Sequence, residues 1–211
     1  MTQLVNWFHV WTGPGSAWHE PVEEHLQALA RAGFDGRFKV GIVGPHDTRV
    51  EALDLISAQR QPDKVVQAEE GWEQLTLRAA RADARRHPSG LTLYCHTKGA
   101  THGTGQMSHW RRSMTTALLA TLPANVATLA MVYEAVGCHW LDQLPSGGRG
   151  FAGNFWLARN DFLASLPPVP SRSRHDAESW IGSGDRSPVL LDLNPGYPGE
   201  VSWVQAIGWP R

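Results

Sequence analysis

The residues best suited to chemistry follow a buried apolar stretch, in residues 96–99 (His-Thr-Lys-Gly). Lys98 is a compact cation next to small residues, so both its ammonium group and the backbone can approach a phosphate closely. Arg111 and Arg112 stand in the first turn of the next predicted helix, where a helix N-terminus and a guanidinium group both favour an anion. These residues predict a phosphate-binding site. The alternatives are a solvated turn for the lysine and a solvated helix face for the arginines.

Two carboxylates lie in a second chemically rich segment, residues 174–180 (Arg-His-Asp-Ala-Glu-Ser-Trp). Apolar neighbours can raise the pKa of a carboxyl group towards the range of a general base, which makes Asp176 and Glu178 candidates. The plainer interpretation is a helix start, with Asp176 as the cap and Glu178 in the first turn. The spacing alone favours this plainer interpretation.

Several common sites are absent from the sequence. The histidines at 96, 102 and 109 match no standard metal-site spacing, and no carboxylate lies near them in sequence. Residues 13–18 (Gly-Pro-Gly-Ser-Ala-Trp) lack the third glycine of a dinucleotide-binding loop. The chain also contains no Walker loop and no Gly-x-Ser-x-Gly elbow. We therefore expect no cofactor and no resident metal.

Strands and helices alternate over the first 95 residues and must position these groups. Apolar or β-rich segments at 5–11, 38–43, 64–68 and 91–95 predict strands, and helical periodicity lies between them. This order is typical of βαβ units in a parallel sheet, whose ligands bind beyond the carboxyl ends of the strands. We therefore expect Thr12 and Gly13 to share one cleft with His96 and Lys98.

The second half of the chain predicts more helices and fewer strands. Ser108 is the expected cap of a helix, a second helix is expected to run from about residue 123 to 132, and residues 135–140 form a possible strand. Further on, residues 154–166 predict a strand that turns into a helix, and residues 175–182 one or two helical turns. We expect one domain over residues 1–183 and an irregular Gly/Pro-rich tail, residues 184–211, packed on or near it.

Composition limits the class of partner. The 211 residues are 42% hydrophobic and carry a formal net charge of −1, so a core can form and no global basic field attracts nucleic acid. No apolar run approaches the roughly 18 residues of a membrane helix, and no signal-peptide pattern is present. We therefore expect a cytoplasmic protein that binds small molecules, and the sequence leaves its oligomeric state open.

Six segments in order resemble a family of small GT-A-type glycosyltransferase-like proteins. The resemblance spans about residues 5–183, but Glu134, Ala152 and Leu157 stand where the family usually has Asp, Ser and Trp. The matching segments are residues 8–11 (Phe-His-Val-Trp), 94–99 (Tyr-Cys-His-Thr-Lys-Gly), 110–114 (Trp-Arg-Arg-Ser-Met), 135–137 (Ala-Val-Gly), 152–158 (Ala-Gly-Asn-Phe-Trp-Leu-Ala) and 174–181 (Arg-His-Asp-Ala-Glu-Ser-Trp-Ile).

The resemblance implies a single Rossmann-like GT-A domain that moves a sugar from a nucleotide-sugar donor to an acceptor hydroxyl. Most such enzymes hold a divalent metal with an Asp-x-Asp motif, and His96-Thr97-Lys98 stands at that place here. Lys98 would then replace the charge of the metal, assisted by Arg111 or Arg112. A divalent metal is accordingly not expected.

The resemblance also assigns residues to the acceptor side of the reaction. Glu178 would deprotonate the acceptor hydroxyl, with Asp176 in reserve, and Asn154, Trp156 and Trp180 would bind the acceptor. Two alternatives stay open. The first is a non-catalytic module that binds nucleotide-sugars or glycans, which the missing Asp-x-Asp favours. The second is a metal-dependent enzyme that uses His96 and other histidines.

Overall fold

Four parallel strands form the first half of the central sheet. The protein is described by a computed structural model that covers residues 3–100, 105–145, 147–171 and 173–194. The strands are β1 (Leu4–Trp11), β2 (Arg37–Val43), β3 (Lys64–Ala68) and β4 (Leu91–His96), and they lie in the order β3-β2-β1-β4. Phe8 pairs with Val40 on one side and Cys95 on the other. All four strands predicted from the sequence are confirmed.

Side chains of β1 alternate between the two faces of the sheet and enter separate cores. Phe8 and Val10 pack into one core, while Val5 and Trp7 pack into the other. This alternation is the period of two that an extended strand imposes. The sheet is therefore covered on both faces, as in other α/β domains with parallel sheets.

Three helices connect these strands: α1 (His19–Arg31), α2 (His46–Gln59) and α3 (Gln74–Arg86). The first two pack on one face of the sheet, and α3 buries Leu77, Ala80 and Ala84 on the other. Helix α1 ends before Gly33, whose φ of 61° suits glycine in the left-handed region. Helix α3 begins at Gln74, so Trp72 lies in the loop between β3 and α3.

The second half of the chain contains five more strands and four more helices among the described residues. They are α4 (Gly105–Leu119), α5 (Leu122–Leu129), β5 (Ala135–Gly137), β6 (Trp140–Leu141), β7 (Gly150–Phe151), β8 (Trp156–Arg159), α6 (Asn160–Ser165), α7 (Asp176–Ser179), a 3₁₀ turn (Trp180–Gly182) and β9 (Leu190–Asp192).

Three of these strands complete a mostly parallel sheet, whose seven described strands lie in the order β3-β2-β1-β4-β8-β5-β9. Strand β8 runs antiparallel to both β4 and β5, and β9 pairs in parallel with β5. Strands β6 and β7 form a separate two-stranded sheet.

Two sequence-based predictions, at the start of α4 and over residues 135–140, differ from the structure. Helix α4 already includes Gly105, so Ser108 lies inside the helix and not at its cap. The stretch 135–140 is broken at His139, whose φ of 61° interrupts extended backbone.

The tail is also not wholly irregular, because β9 joins the main sheet. The Asp192 carboxylate accepts the backbone N–H groups of His139 and Trp140, each at 2.8 Å. A three-residue strand is too short to show a period in the sequence, which explains why it was not predicted. The rest of the predicted tail, residues 195–211, lies outside the described residues. In the part of the chain that is described, no helix is long and apolar enough to cross a membrane.

Candidate functional site

A cleft lies at the carboxyl ends of β1 and β4, where the segment before α7 closes over it. The cleft is open to solvent on one side. Charged, imidazole and aromatic side chains line this cleft together with a few small and apolar residues. The lining residues are His9, Trp11, Trp72, Glu73, His96, Thr97, Lys98, Gly99, Ala100, Met107, Arg174, His175 and Glu178.

A tight turn after β4 positions Lys98. The backbone N–H of Thr97 donates to the His9 carbonyl at 3.0 Å, and the Thr97 hydroxyl accepts the Trp11 N–H at 3.0 Å. Gly99 has a φ of 83°, a conformation that a side chain would strain. The turn therefore ties the end of β4 to the end of β1 and presents the lysine to the cleft.

Lys98 and Glu178 form a largely buried ion pair inside the cleft. The Lys98 Nζ lies 3.2 Å from Glu178 Oε1, and the two side chains are 11% and 10% exposed. The ammonium group also lies 4.5 Å from the centroid of the Trp110 ring, a cation–π distance. The other oxygen of the carboxylate, Glu178 Oε2, is buried without a hydrogen-bond partner among the described residues. The ion pair therefore does not use the full hydrogen-bonding capacity of the carboxylate.

A second carboxyl group, Glu73, stands at the start of α3 on the same cleft. Its Oε2 accepts the Tyr94 hydroxyl at 3.0 Å and the Asn154 side-chain amide at 2.8 Å. Its Oε1 lies 3.5 Å from His96 Nδ1. Burial raises the pKa of Glu73 above its ordinary value. Burial likewise lowers the pKa of His96 to about 3.

Two tryptophans and a guanidinium group form the mouth of the cleft. The rings of Trp11 and Trp72 are nearly parallel, with centroids 6.4 Å apart, and Trp72 is 43% exposed. The Arg174 guanidinium lies 5.5 Å from the Trp72 ring. This rim offers flat apolar faces next to a positive charge, which is suited to an aromatic or sugar ring carrying phosphate.

The predicted residues Thr12 and Gly13 do not join the Lys98 cleft. Gly13 lines a neighbouring groove, which shares only Trp11 and Trp72 with the main cleft. Thr12 is buried, and its hydroxyl bonds the Val43 carbonyl at 3.3 Å and the Thr48 hydroxyl at 3.0 Å. Its side chain therefore holds the ends of β1 and β2 together.

Arg111 and Arg112 point to α1 and not into the cleft. Both guanidinium groups pair with Glu24, and both also reach Glu20. The predicted direct contact with phosphate is thus not what the structure shows, since helix α1 supplies the anions. Arg111 acts on the site indirectly, because its Nη1 donates to the Lys98 carbonyl at 2.9 Å and supports that turn.

The predicted acceptor residues are packed inside the protein. Asn154 bridges Glu73 and the Trp156 indole, whose Nε1 donates to Asn154 Oδ1 at 2.8 Å. Trp156 and Trp180 are both 0% exposed, and the Trp180 indole donates to the Pro167 carbonyl at 3.0 Å. Neither ring presents a face to the cleft, so their predicted contact with an acceptor is corrected to a structural role.

Asp176 and Glu178 separate into different roles. The Asp176 carboxylate accepts the Ser173 backbone N–H at 2.9 Å at the start of α7, as the plainer interpretation predicts. Glu178, two residues later, turns into the cleft.

The described residues contain no group of three or more His, Cys, Asp or Glu side chains placed to hold a metal ion. Two of the three histidines considered from the sequence are described. His96 donates through Nε2 to the Gly153 carbonyl at 2.8 Å, and His109 is exposed on α4. His102 lies outside the described residues.

Glu73, Trp72 and Arg174 are among the cleft residues that were not selected from the sequence. Glu73 and Trp72 follow β3, whose loop is expected to share the rim with the loop after β4. That topological rule was the available signal for both residues. Arg174 belongs to the same segment as Glu178, so its presence in the resembling motif was the signal there.

Several solved structures are similar to this chain over most of its length, at low sequence identity. A 4-diphosphocytidyl-2C-methyl-D-erythritol synthase is 14% identical with a TM-score of 0.49, and the match covers 98% of each chain. A mannosyltransferase from Pyrobaculum calidifontis, solved with GDP-Man and Mn²⁺, is 15% identical with a TM-score of 0.48. That match covers 98% of this chain and 65% of the other.

A third structure is glucosyl-3-phosphoglycerate synthase from Mycobacterium tuberculosis, solved with Mn²⁺, uridine diphosphate and phosphoglyceric acid. It is 14% identical with a TM-score of 0.48, and the match covers 90% of this chain and 68% of the other. No curated protein matches the sequence. Residues 7–179 match the model of a domain of unknown function, DUF8361, and because this span is most of the chain, the protein belongs to that family.

Proposed function

We propose that this protein is a glycosyltransferase that moves a sugar from a nucleotide-sugar donor to an acceptor hydroxyl. The observation that carries the proposal is the meeting of Lys98 and Glu178, 80 residues apart in sequence, inside a cleft at the carboxyl ends of the strands. The reaction needs a positive charge beside the diphosphate leaving group and a base beside the acceptor. This pair supplies one of each.

Lys98 can hold Glu178 and a phosphate oxygen at the same time. An ammonium group has three N–H donors, and the ion pair with Glu178 uses one of them. Burial strengthens the contact between the ammonium group and any phosphate oxygen that reaches it, because water screens this contact less. Arg174 and His175 line the same cleft and supply further nitrogen donors near its mouth.

The rim tryptophans support a flat donor group. The nearly parallel rings of Trp11 and Trp72 lie beside the charged part of the cleft. A base or a sugar ring packed on either indole would leave its phosphates directed towards Lys98. Aromatic contacts of this kind contribute about 0.5–1.5 kcal/mol beyond the area they bury.

Transfer then requires one proton movement and one exchange of bonds. The acceptor O–H gives its proton to the Glu178 carboxylate while its oxygen forms a bond to the anomeric carbon. The bond from that carbon to the phosphate oxygen breaks, and its electron pair leaves with the diphosphate, next to Lys98. A carboxylate base in such a step contributes about 10²–10⁴-fold.

We also propose that this reaction proceeds without a divalent metal. His96 and Lys98 stand where the resembling family usually has Asp-x-Asp, and Lys98 provides a fixed charge there. Turnover should therefore survive a chelator. Loss of turnover on chelation, with recovery on adding Mn²⁺, would contradict this part of the proposal.

A panel of nucleoside diphosphates and nucleotide-sugars, with thermal unfolding as the readout, tests the function. A ligand present at about 100 times its dissociation constant stabilises the folded protein by roughly 2.7 kcal/mol. We expect at least one nucleoside diphosphate to do so, and the matching nucleoside, which lacks phosphate, to do so less. No stabilisation by any member would overturn the proposal. Donor binding with neither transfer nor hydrolysis would instead favour the non-catalytic binding module.

A further inference from the structure

Glu73 is the one carboxyl group of the described cleft besides Glu178, and the proposed transfer does not use it. Three elements converge on its carboxyl group: β4 through Tyr94 and His96, the loop before β8 through Asn154, and α7 through Glu178. The side chain is 18% exposed and lines the cleft directly. A ligand in the cleft can therefore reach it.

The hydrogen bonds around Glu73 leave one proton to be shared with His96. His96 Nε2 must donate, because its partner at 2.8 Å is the Gly153 carbonyl, which only accepts. In a neutral imidazole the remaining nitrogen, Nδ1, is then a lone pair, and it faces Glu73 Oε1 at 3.5 Å. Two lone pairs facing each other repel, so the favourable state of this contact holds one proton. Glu73 Oε2 is already occupied by two donors, which leaves Oε1 as the oxygen that carries it.

We propose that Glu73 holds this proton at neutral pH and gives it to the departing phosphate oxygen during transfer. The cleft would then contain two carboxyl groups in opposite states, a carboxylate base held by Lys98 and a carboxylic acid held beside His96. Enzymes commonly assign acid and base roles through such a difference in surroundings. The inference rests on the proposed function and deepens it.

The titratable groups that face Glu73 support the neutral acid. Burial is the largest influence and raises the pKa of Glu73, and the nearby Glu178 carboxylate also raises it. His9 on β1, Lys98 and the Asn154 amide act in the opposite direction, but the net pKa is raised. Burial lowers the pKa of His9 to about 4 and that of His96 to about 3, so neither imidazole competes for the proton at pH 7. Burial raises the pKa of Tyr94 well above its ordinary value, which keeps its hydroxyl a donor.

The step balances in protons and electrons. As the anomeric carbon–oxygen bond breaks, the phosphate oxygen receives the bond's electron pair and takes the proton from Glu73 Oε1. Glu178 has meanwhile gained the proton of the acceptor. A terminal phosphate group has a second pKa near 6, so the leaving diphosphate takes the proton during bond breaking and releases it to water at neutral pH. Proton exchange with water after product release restores both carboxyl groups.

The first arm of the test is a titration that needs no donor. Carbon-13 labelling of glutamate carboxyl groups, with the Glu73 signal assigned from Glu73→Gln, reports its protonation by NMR. We expect this signal to be that of a carboxylic acid at pH 6 and to change only at higher pH. A carboxylate signal at pH 6 would overturn the inference, whatever the nucleotide panel shows.

The second arm follows turnover against pH with whichever donor the panel identifies. The wild-type protein should lose kcat as the pH rises through the pKa of Glu73, because the acid is then deprotonated. In Glu73→Gln we expect kcat to fall about 10²-fold at pH 7 and this alkaline decline to vanish. Glu23→Gln, on the exposed face of α1, is the matched control and should keep the wild-type profile.

Persistence of the alkaline decline in folded Glu73→Gln, or near-normal kcat, would overturn the inference while leaving the proposed function intact. Failure of every nucleotide to bind would overturn the proposed function and the transfer step assigned to Glu73. In that case the titration still decides whether Glu73 holds the proton.

Discussion

Among the described residues, two lysine–carboxylate pairs are buried to a similar extent, and the Lys98–Glu178 pair lines the cleft. Lys39 on β2 pairs with Asp83 on α3, with side chains 6% and 7% exposed. The other Asp83 oxygen accepts Arg86 Nη2 at 2.9 Å. Although burial acts to raise it, the hydrogen bond and charge of Lys39 hold the pKa of Asp83 below its ordinary value. Both oxygens of this carboxylate thus have a partner within the protein.

The Lys98–Glu178 pair differs in what it leaves unused. One oxygen of Glu178 has no hydrogen-bond partner among the described residues, and the pair lines the cleft. Leaving a buried polar group unsatisfied costs about 1–3 kcal/mol, so the folded protein tolerates this arrangement at a loss of stability. The two pairs are buried to a similar extent but differ in how many carboxylate oxygens have a hydrogen-bond partner. This difference separates the structural ion pair from the candidate functional one.

The first and largest change that we expect is in turnover, after substitution of the carboxylate in the Lys98–Glu178 pair. Glu178→Gln removes the proposed base but keeps its size, and we expect kcat to fall at least about 10²-fold with the protein still folded. Asp176→Asn is the matched control, because that carboxylate accepts a backbone N–H before α7. Steady-state kinetics on both variants decides which of the two carboxylates acts as the base. Normal turnover in Glu178→Gln with an inactive Asp176→Asn would move the base to Asp176.

The second effect separates the pairs by stability. Asp83→Asn leaves the Lys39 ammonium buried without its counter-ion, which typically costs about 3–5 kcal/mol. Glu178→Gln should reduce the free energy of unfolding clearly less, because Lys98 lines an open cleft in which water can solvate its charge. Chemical denaturation measures both free energies of unfolding. Equal losses would remove the distinction between a closed and an open pair.

The third effect is a loss of stability at acidic pH, which buried histidines cause both in the cleft and away from it. Burial lowers the pKa of His9 to about 4 and those of His25 and His96 to about 3. Below pH 6.5 the unfolded chain binds protons that the folded chain does not, so each histidine reduces stability as the pH falls.

His25 allows this effect to be separated from the cleft. Its ring stacks on Phe8 and its Nε2 bonds Asn6 Oδ1 at 2.8 Å, away from the lining residues. In His25→Gln we expect the slope of unfolding free energy between pH 6 and 4 to decrease by about 1.4 kcal/mol per pH unit. His87→Gln, on an exposed side chain, is the control substitution. An unchanged slope in His25→Gln would contradict this account.

The smallest expected effect lies at the mouth of the cleft. Trp72→Ala removes an indole that is 43% exposed, so the free energy of unfolding should change little. Donor affinity should fall by roughly 2- to 10-fold, the equivalent of the 0.5–1.5 kcal/mol of one aromatic contact. Met131→Ala, at an exposed position of 76%, serves as the control. Equal donor affinities by calorimetry in both variants would exclude ring stacking at Trp72.

The parallel half of the fold was predictable from the sequence because its signals are local. The strands around Phe8, Val40 and Leu93 are apolar runs that alternate with helical segments. The apolar runs and their order along the chain are enough to predict this half of the sheet. Strand β9 was not predictable, since three residues hold no period and their pairing with β5 is long-range. The same reason applies to the break at His139, which depends on a local positive φ.

The candidate site was predictable only in part. Lys98 follows from the rule that ligands bind beyond the strand ends, and Glu178 was named from the family resemblance. The arginines at 111 and 112 could not be placed correctly, because their partners are glutamates of α1 nearly 90 residues away in sequence. Glu73 was missed for a related reason, since its significance depends on His96, which only the folded chain brings beside it.

The affinity of Lys98→Met for a nucleoside diphosphate tests the central claim most directly. Isothermal titration calorimetry would compare the wild-type protein, Lys98→Met and Lys64→Met, the last being an exposed lysine on β3. A hydrogen bond to a charged group is worth about 1.5–3 kcal/mol, so we expect Lys98→Met to bind at least about tenfold more weakly. Lys64→Met should bind as the wild type does. Equal affinities for wild type and folded Lys98→Met would contradict the assignment of this cleft to the diphosphate.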